Sequence, residues 1–309
     1  VPPAATRTAL TVLGTVGAVG AATAVWGIGI ERYLFTVRFH EVAVLPRGAT
    51  PIRVLHLSDA HMAPWQRRKQ EWIAALAELQ PDLVVNTGDN MGHRNGLRGL
   101  RAAFDPLRGI PGVFVHGSND HTAPSPRNPV KYFTGPSEVK DTSEPLDTDA
   151  LDDYLTDELG WLNLNNAAAP LDAGGLRIAA FGVSDAHRDW DQLDALPEPV
   201  AELRATGPDL TIGVTHAPYR RVLDEFVDLG ADVLFGGHTH GGQVRLPGFG
   251  ALVANCDIPL KQARGLSDWT HAGRTVPLNV SAGLGHSIYV PVRFACRPEA
   301  SLLTLVPKP

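Results

Sequence analysis

Sulfur is scarce in this chain of 309 residues: two methionines and two cysteines, Cys256 and Cys296. Two thiols exclude a disulfide-rich scaffold and a zinc site built on cysteine, leaving one optional disulfide. No G-x-S-x-G sequence occurs, so the elbow of a serine hydrolase is missing. Charge of one sign is also lacking. Lys and Arg total 27 against 33 Asp and Glu, a net charge of −6 without a long basic block, which disfavours a general nucleic-acid binder. No repeat of 20–50 residues is visible. What the chain does have is a 44% hydrophobic content, enough for one sizeable core, with 31 Gly and 25 Pro, as in a loop-rich α/β domain.

The one long uncharged run is TALTVLGTVGAVGAATAVWGIGI, Thr8 to Ile30, 23 residues. As a helix rising ~1.5 Å per residue it spans about 34 Å, enough for a ~30 Å hydrocarbon core. Trp26, Tyr33 and Phe35 stand where an aromatic belt would lie. Ala22-Thr23-Ala24 has the small-x-small form of a signal cleavage site, but the apolar run continues past it, favouring an uncleaved single-pass anchor. Arg7 before the segment and Arg32 and Arg38 after it leave the side open, with a slight lean to the extracytoplasmic face. Residues 1–45 then read as anchor and amphipathic connector, and 46–309 as one globular domain.

Beyond residue 46, apolar runs alternate with helical spacing. IRVLHLSD (52–59), DLVVNTGD (82–89) and GVFVHGS (112–118) read as buried strands, separated by helices over 67–80 and 97–107. Such alternation predicts a mostly parallel sheet with functional groups at the strands' carboxyl ends. A Pro-rich insertion, 122–148, contains five prolines. In it Arg127 and Lys131-Tyr132-Phe133 are candidates to grip a phosphate or an acyl chain. A helix over 149–159 follows, then strands 175–185, 209–218 and 231–240 with intervening helices. VPLNVSAG and PVRFACRP read as short strands near the end.

The polar residues that end these strands share one chemistry. They are Asp59 and His61, Asp89 and Asn90, Ser118 to Asp120, His216, and His238 and His240. If the chain stays extended there, residues i and i+2 aim the same way, so Asp59/His61 and His238/His240 converge. Carboxylates mixed with imidazoles suit a pair of divalent first-row ions, with Asp89 as the natural bridge. Such a pair lowers the pKa of a bound water and clamps phosphoryl oxygens during in-line displacement.

SDAH, GDN, GSND, THAP and GGHTHGGQ, in that order, resemble the motifs of the calcineurin-like metallophosphoesterases. With the closing SAGLGHS to PVRFACRPE they are similar to the membrane-associated YkuE/YaeI-type subgroup, over about Arg53 to Leu305. The resemblance implies a four-layer α/β/β/α sandwich preceded by one transmembrane helix. It also implies cleavage of phosphodiesters or phosphomonoesters by a metal-bridging hydroxide. Two divalent ions (Mn, Fe or Zn) are implied, one at Asp59, His61, Asp89 and His240, the other at Asp89, His216, His238 and an amide oxygen.

The third motif departs from the family's Gly-Asn-His-Asp. Ser118 replaces Asn and Asn119 replaces His, so Asn119 becomes the expected ligand and the usual histidine is lost. His121 and His93 are the candidate replacements, with His116 in reserve, and Asn90 is a candidate phosphate contact. Losing a general acid costs roughly 10²–10⁴ in rate and hurts least with a leaving group of low pKa. The expected reaction is therefore phosphodiester or pyrophosphate hydrolysis, on a substrate that is lipid-linked or a nucleotide, without a stable nucleic-acid partner. The alternatives are a lipid phosphate phosphatase and a weakly catalytic membrane scaffold. His56 reads as a core residue, His187 as a loop residue, and His286 as a candidate pocket residue.

Overall fold

The computed structural model describes residues 4–125 and 144–309. Arg127, Lys131, Tyr132 and Phe133, the expected gripping residues, lie outside the described residues. In chain order the strands are β1 (Thr36–Leu45), β2 (Ile52–Leu57), β3 (Leu83–Asn86), β4 (Gly112–Phe114), β5 (Trp161–Asn163), β6 (Ala167–Ala173), β7 (Leu176–Val183), β8 (Leu210–Thr215) and β9 (Val233–Gly236). The short pair β10 (Arg245–Leu246) and β11 (Gly250–Ala251) precedes β12 (Gly265–His271), β13 (Arg274–Val280) and β14 (Glu299–Pro307). The helices are α1 (Ala4–Ala24), α2 (Arg67–Ala74), α3 (Gly96–Phe104), α4 (Thr148–Asp153), α5 (Pro197–Ala205) and α6 (Arg220–Asp228).

Two six-stranded sheets result, ordered β1-β14-β2-β3-β4-β5 and β12-β13-β9-β8-β7-β6. Both are mixed. β2 to β5 run parallel, as do β7, β8, β9 and β13, while β14, β6 and β12 pair antiparallel with β2, β7 and β13. Alternation along the strands divides the core. Val54, Val85 and Val113 from the first sheet meet Ile178, Ile212 and Val233 from the second in one cluster. Leu55, Val84 and Phe114 turn the other way, onto Ile73, Leu100 and Leu151 of α2, α3 and α4. The outer face of the second sheet packs on Val200 of α5 and on Val222, Leu223, Phe226 and Val227 of α6. That α6 spacing is the apolar stripe of an amphipathic helix.

Two expectations need correction. The stretch expected to connect anchor and domain is β1, the edge strand of the first sheet, parallel to β14 from Thr36↔Glu299 to Leu45↔Pro307. Its interspersed Arg38, His40 and Glu41 follow from the edge position, where one face stays wet. PVRFACRP, expected as a strand, is irregular apart from an isolated Val244↔Phe294 bridge. Pro291 and Pro298 lack the amide hydrogens a ladder needs, and β14 begins only at Glu299. The stretch Thr11–Tyr33 is long and apolar enough to cross a membrane, with a mean hydropathy of 1.6.

Candidate metal centre

The carboxyl ends of β2, β3, β8 and β9 meet at one edge. There the expected extended geometry gives way to left-handed turns: Asp59 has φ 50°, His61 39°, Asp89 54°, His238 66° and His240 49°. Each such non-glycine residue costs about 1–2 kcal/mol, and strain of this kind concentrates at functional sites. The side chains therefore converge through sharp turns just past the strands, not through strand alternation. Backbone bonds hold the turns together. Asp59 N–H donates to Gly88 O (2.8 Å), His61 N–H to Asp89 O (2.9 Å) and Gly237 N–H to His216 O (2.8 Å). Gly88 is required, because at its φ of 83° a Cβ would lie 2.4 Å from the Gly117 nitrogen.

Two groups of ligand atoms result, each with its atoms within 4.8 Å of one another: Asp59, His61 and His240, and Asp59, Asp89 and His216. His61 Nε2 stands 3.1 Å from His240 Nε2, while Asp89 Oδ2 is 3.6 Å from both His61 Nε2 and His216 Nε2. Several of these buried atoms have no hydrogen-bond partner: Asp59 Oδ1, His61 Nδ1 and His216 Nε2. Leaving such groups unpaired is costly, and Asp59 Oδ1 and His216 Nε2 are the atoms a cation would satisfy. His216 Nδ1–H donates to Thr87 O (2.7 Å), which fixes the tautomer and leaves Nε2 as the nitrogen that could hold a cation. The donor set fits hard or borderline divalent ions.

The electrostatics of the cluster point the same way. Burial, with Asp89 beside it, pushes the Asp59 carboxyl up to about 7. Asp89 is also buried, yet His216, His61 and the Asn119 hydrogen bonds hold it well below the usual carboxylate range. Burial alone would lower His216, but Asp89, Asp185 and Asp59 outweigh it and raise the imidazole to about 9. Burial depresses His61 to about 4 and His238 to about 3, with neighbouring positive charge adding to it. Two carboxylates and four imidazoles thus share an interior with too little positive charge for the first and too little solvent for the second.

The other expected site residues divide. Asn119 sits at the centre: its Nδ2 donates to Asp89 Oδ2 (2.7 Å) and its N–H to Asp89 Oδ1 (2.9 Å). Turning the amide over would bring its oxygen to the same place. Ser118 is tied down instead, its N–H donating to Asp185 (2.9 Å). His238 packs on His216 with ring centroids 5.2 Å apart, and Asn255 O lies 3.1 Å from its Nε2. Asn90 is fully buried and exchanges side-chain amide bonds with Asn86, at 2.8 and 3.2 Å. His93 packs edge-on to Trp65 (4.9 Å) and accepts the Asn95 N–H. His121 packs against His116 and Trp190. None of Asn90, His93 and His121 lines the cavity over the metal-ligand cluster.

That cavity has a volume of 220 Å³, with His61, Asp89, Asn119, His238 and His240 on its floor and Leu252, Val253, Ala254, Val290 and Val292 among its apolar walls. His187 also lines it, 4.4 Å from the His238 ring and with Nδ1 3.0 Å from the Tyr219 hydroxyl. Sequence reasoning left His187 on a loop, although Ser184-Asp185-Ala186-His187 repeats Ser58-Asp59-Ala60-His61 at the end of another strand. Asp120 braces the turns that carry Asp89 and Gly117. Its carboxylate accepts the N–H groups of Asp89 (2.8 Å), Asn90 (2.7 Å), Met91 (3.2 Å) and Gly117 (3.1 Å). Arg293, fully buried, was missed. Its guanidinium lies 3.3 Å from both His240 O and His240 Nδ1. Cys256 and Cys296 are both free.

The sequence model of the family described as "Calcineurin-like phosphoesterase" matches residues 52–242. The chain is 27% identical to the uncharacterized protein YpbG of Bacillus subtilis (strain 168), over 84% of this chain and 83% of that one. It is 24% identical to the uncharacterized metallophosphoesterase YkuE of the same organism, over 93% of each chain. Among solved structures, a hypothetical protein from Thermus thermophilus is 20% identical, with a TM-score of 0.39, covering 63% of this chain and 72% of that one.

Proposed function

We propose a function from the premise that this chain belongs to the calcineurin-like phosphoesterase family: it is a membrane-anchored dinuclear-metal hydrolase of phosphodiester or pyrophosphate bonds. The observation that carries the reading is the pair of candidate ligand groups that meet at Asp59, with buried atoms that have no hydrogen-bond partner and that a cation would satisfy. Asp59, His61, Asp89 and His240 would hold one ion; Asp89, His216, His238 and Asn119 would hold the other. Bound there, the ions supply a water of lowered pKa and a clamp for phosphoryl oxygens.

The chain's own residues set the rest. Thr87 O orients His216, Asn255 O lies against His238, and Asp120 fixes the turn that carries Asp89. With Asn119 in the place of the family's histidine, the imidazole best positioned for a substrate's leaving group is His187, on the cavity wall beside His238. Tyr219 holds the other nitrogen of its ring.

Substrate class follows from the lining. Among the described residues, no Lys or Arg lines this cavity. A monoester dianion would enter without side-chain charge compensation beyond the ions, whereas a diester carries a single charge. The apolar wall of Leu252, Val253, Val290 and Val292 suits a hydrophobic substituent, as on a lipid-linked substrate.

The test is Mn²⁺-dependent hydrolysis by the full chain in detergent, with an aryl phosphodiester compared against its monoester. The diester should turn over at least about tenfold faster. A monoester preference would make the protein a phosphatase, and turnover unaffected by chelation would end the metal reading.

A further inference from the structure

A second cavity, of 330 Å³, lies on the other side of the 285–292 loop. Arg32, Arg67, Arg68, Lys69 and His286 line it together with the rings of Tyr33, Phe35 and Trp65, and no carboxylate does. Its residues come from three places. Arg32, Tyr33 and Phe35 lie at the end of the apolar Thr11–Tyr33 stretch or just past it, Arg67 to Lys69 form the first turn of α2, and His286 belongs to the Gly-rich loop after β13.

The cations there are poorly compensated. Ion pairs elsewhere engage Arg38, Arg101, Arg108, Arg177, Arg221, Arg274 and Lys308, whereas Arg32, Arg67, Arg68 and Lys69 take part in none among the described residues. Lys69 is only 5% exposed; its ammonium donates to the carbonyl oxygens of Ala60 and His61 and so retains a third N–H. Arg32 Nε is buried without a partner, and its guanidinium lies over the Tyr33 ring at 4.5 Å, with that of Arg68 at 5.9 Å. α2 begins with three cations, no acidic residue in its first turn and no side-chain cap, against the preference of a helix N-terminus for negative charge. Like charges gathered in a hollow are destabilising unless an anion joins them.

We propose that this cavity is a binding site for an anionic phosphate group, carried by a membrane lipid headgroup or arriving as free phosphate. Arginine forks match phosphate oxygens in two-point contact, and the Lys69 ammonium adds a point charge at the back of the hollow. The position suits a headgroup: at the end of an apolar stretch of membrane-spanning length, among aromatic rings of the interfacial kind. Because Lys69 also holds the carbonyls of Ala60 and His61, an occupied cavity would brace the turn that presents His61. The site is separate from the metal cluster, and its existence does not depend on the reaction proposed there.

The test uses the metal-loaded full chain in detergent micelles, with fluorescently labelled phosphatidic acid as probe and the same label on phosphatidylcholine as control. Phosphatidic acid should bind in preference. Arg67→Gln with Arg68→Gln should weaken that binding by about tenfold or more, leaving bound metal and aryl-diester turnover within about twofold. Arg32→Gln, on another segment, should reproduce the loss if the double variant melts early. Displacement of the probe by inorganic phosphate at sub-millimolar concentration would assign the site to the free anion; resistance to it would assign the site to a headgroup. Equal binding of the two lipids, or probe affinity unchanged in both variants, would overturn the proposal, since binding at the metal cluster would survive these substitutions.

Discussion

The Asp120 carboxylate is the most heavily used single group in the site, accepting four backbone N–H groups from the Asp89 turn and the GSND turn. Asp120→Asn puts an amide NH₂ against some of those donors while keeping the volume. It should lower metal affinity by about 10–100-fold, as loss of a ligand's supporting partner does, read by titration of the stripped protein with Mn²⁺. Gly117 has no such tolerance: a Cβ there would lie 2.2 Å from Asp89 Oδ1, so Gly117→Ala should abolish metal retention. His116 serves structure instead. Its Nε2 lies 2.6 Å from Asp152 Oδ1 and its Nδ1 3.4 Å from Asp120 Oδ2. Burial would lower its pKa, but these two carboxylates raise it to about 9. A histidine whose folded pKa is raised contributes fully below its unfolded value near 6.5 and loses the contribution as pH climbs through about 9. The stability gap between wild type and His116→Gln in urea should therefore be largest at pH 6, at most about 3 kcal/mol, and shrink by pH 10. A gap independent of pH would remove the charge from that account.

At the scale of elements, β1 and the end of the apolar helix are built into the domain. β1 buries Val42, Val44 and Leu45, and its partner β14 sits between it and β2. Just before it, the buried Glu31 carboxylate accepts from Trp26 Nε1 (2.7 Å), Ala295 N–H (3.0 Å) and Cys296 N–H (2.6 Å), clasping the segment that contains Arg293. At about 1.5–3 kcal/mol for each apolar side chain, the three buried residues of β1 contribute on the order of the whole stability of a domain. A fragment starting at Pro46 should therefore aggregate or melt more than about 10 °C below one starting at Glu31, as followed by circular dichroism. Equal melting would mean that β1 is dispensable. This strand was hard to read in sequence because TVRFHEVAVL mixes polar and apolar residues as a connector does, and because its partner lies some 260 positions away. β2, β3, β8 and β9 were legible, since each is a buried apolar run that ends abruptly in ligand-type residues.

For the molecule as a whole, the order of motifs carried the family and pointed to the Asp and His side chains that meet at one edge, but not the turn geometry that makes them converge. Left-handed backbone at Asp59, His61, Asp89, His238 and His240 is only weakly signalled by residue type, Asp and His being among the side chains that tolerate it. Only the surrounding hydrogen bonds over-determine it. His187 stayed hidden for a related reason. Its place on the cavity wall depends on the second sheet presenting Asp185-Ala186-His187 to the same edge as Asp59-Ala60-His61, which only the packing of two sheets supplies. Lys69 reaches the site from outside any motif and Arg293 from the closing PVRFACRPE stretch, through a buried ammonium and a buried guanidinium that bond backbone oxygens at His61 and His240. The central claim is that two cations are held at once, one by Asp59, His61, Asp89 and His240 and the other by Asp89, His216, His238 and Asn119, with Asp89 shared. The most direct measurement is metal content per chain by mass spectrometry of the purified full protein, wild type beside Asp89→Asn. Two ions per chain, falling to one or none in the variant together with loss of diester turnover, is the expected result. Two ions retained in Asp89→Asn with turnover intact would contradict the shared site, and a wild-type chain that binds none would contradict the account altogether.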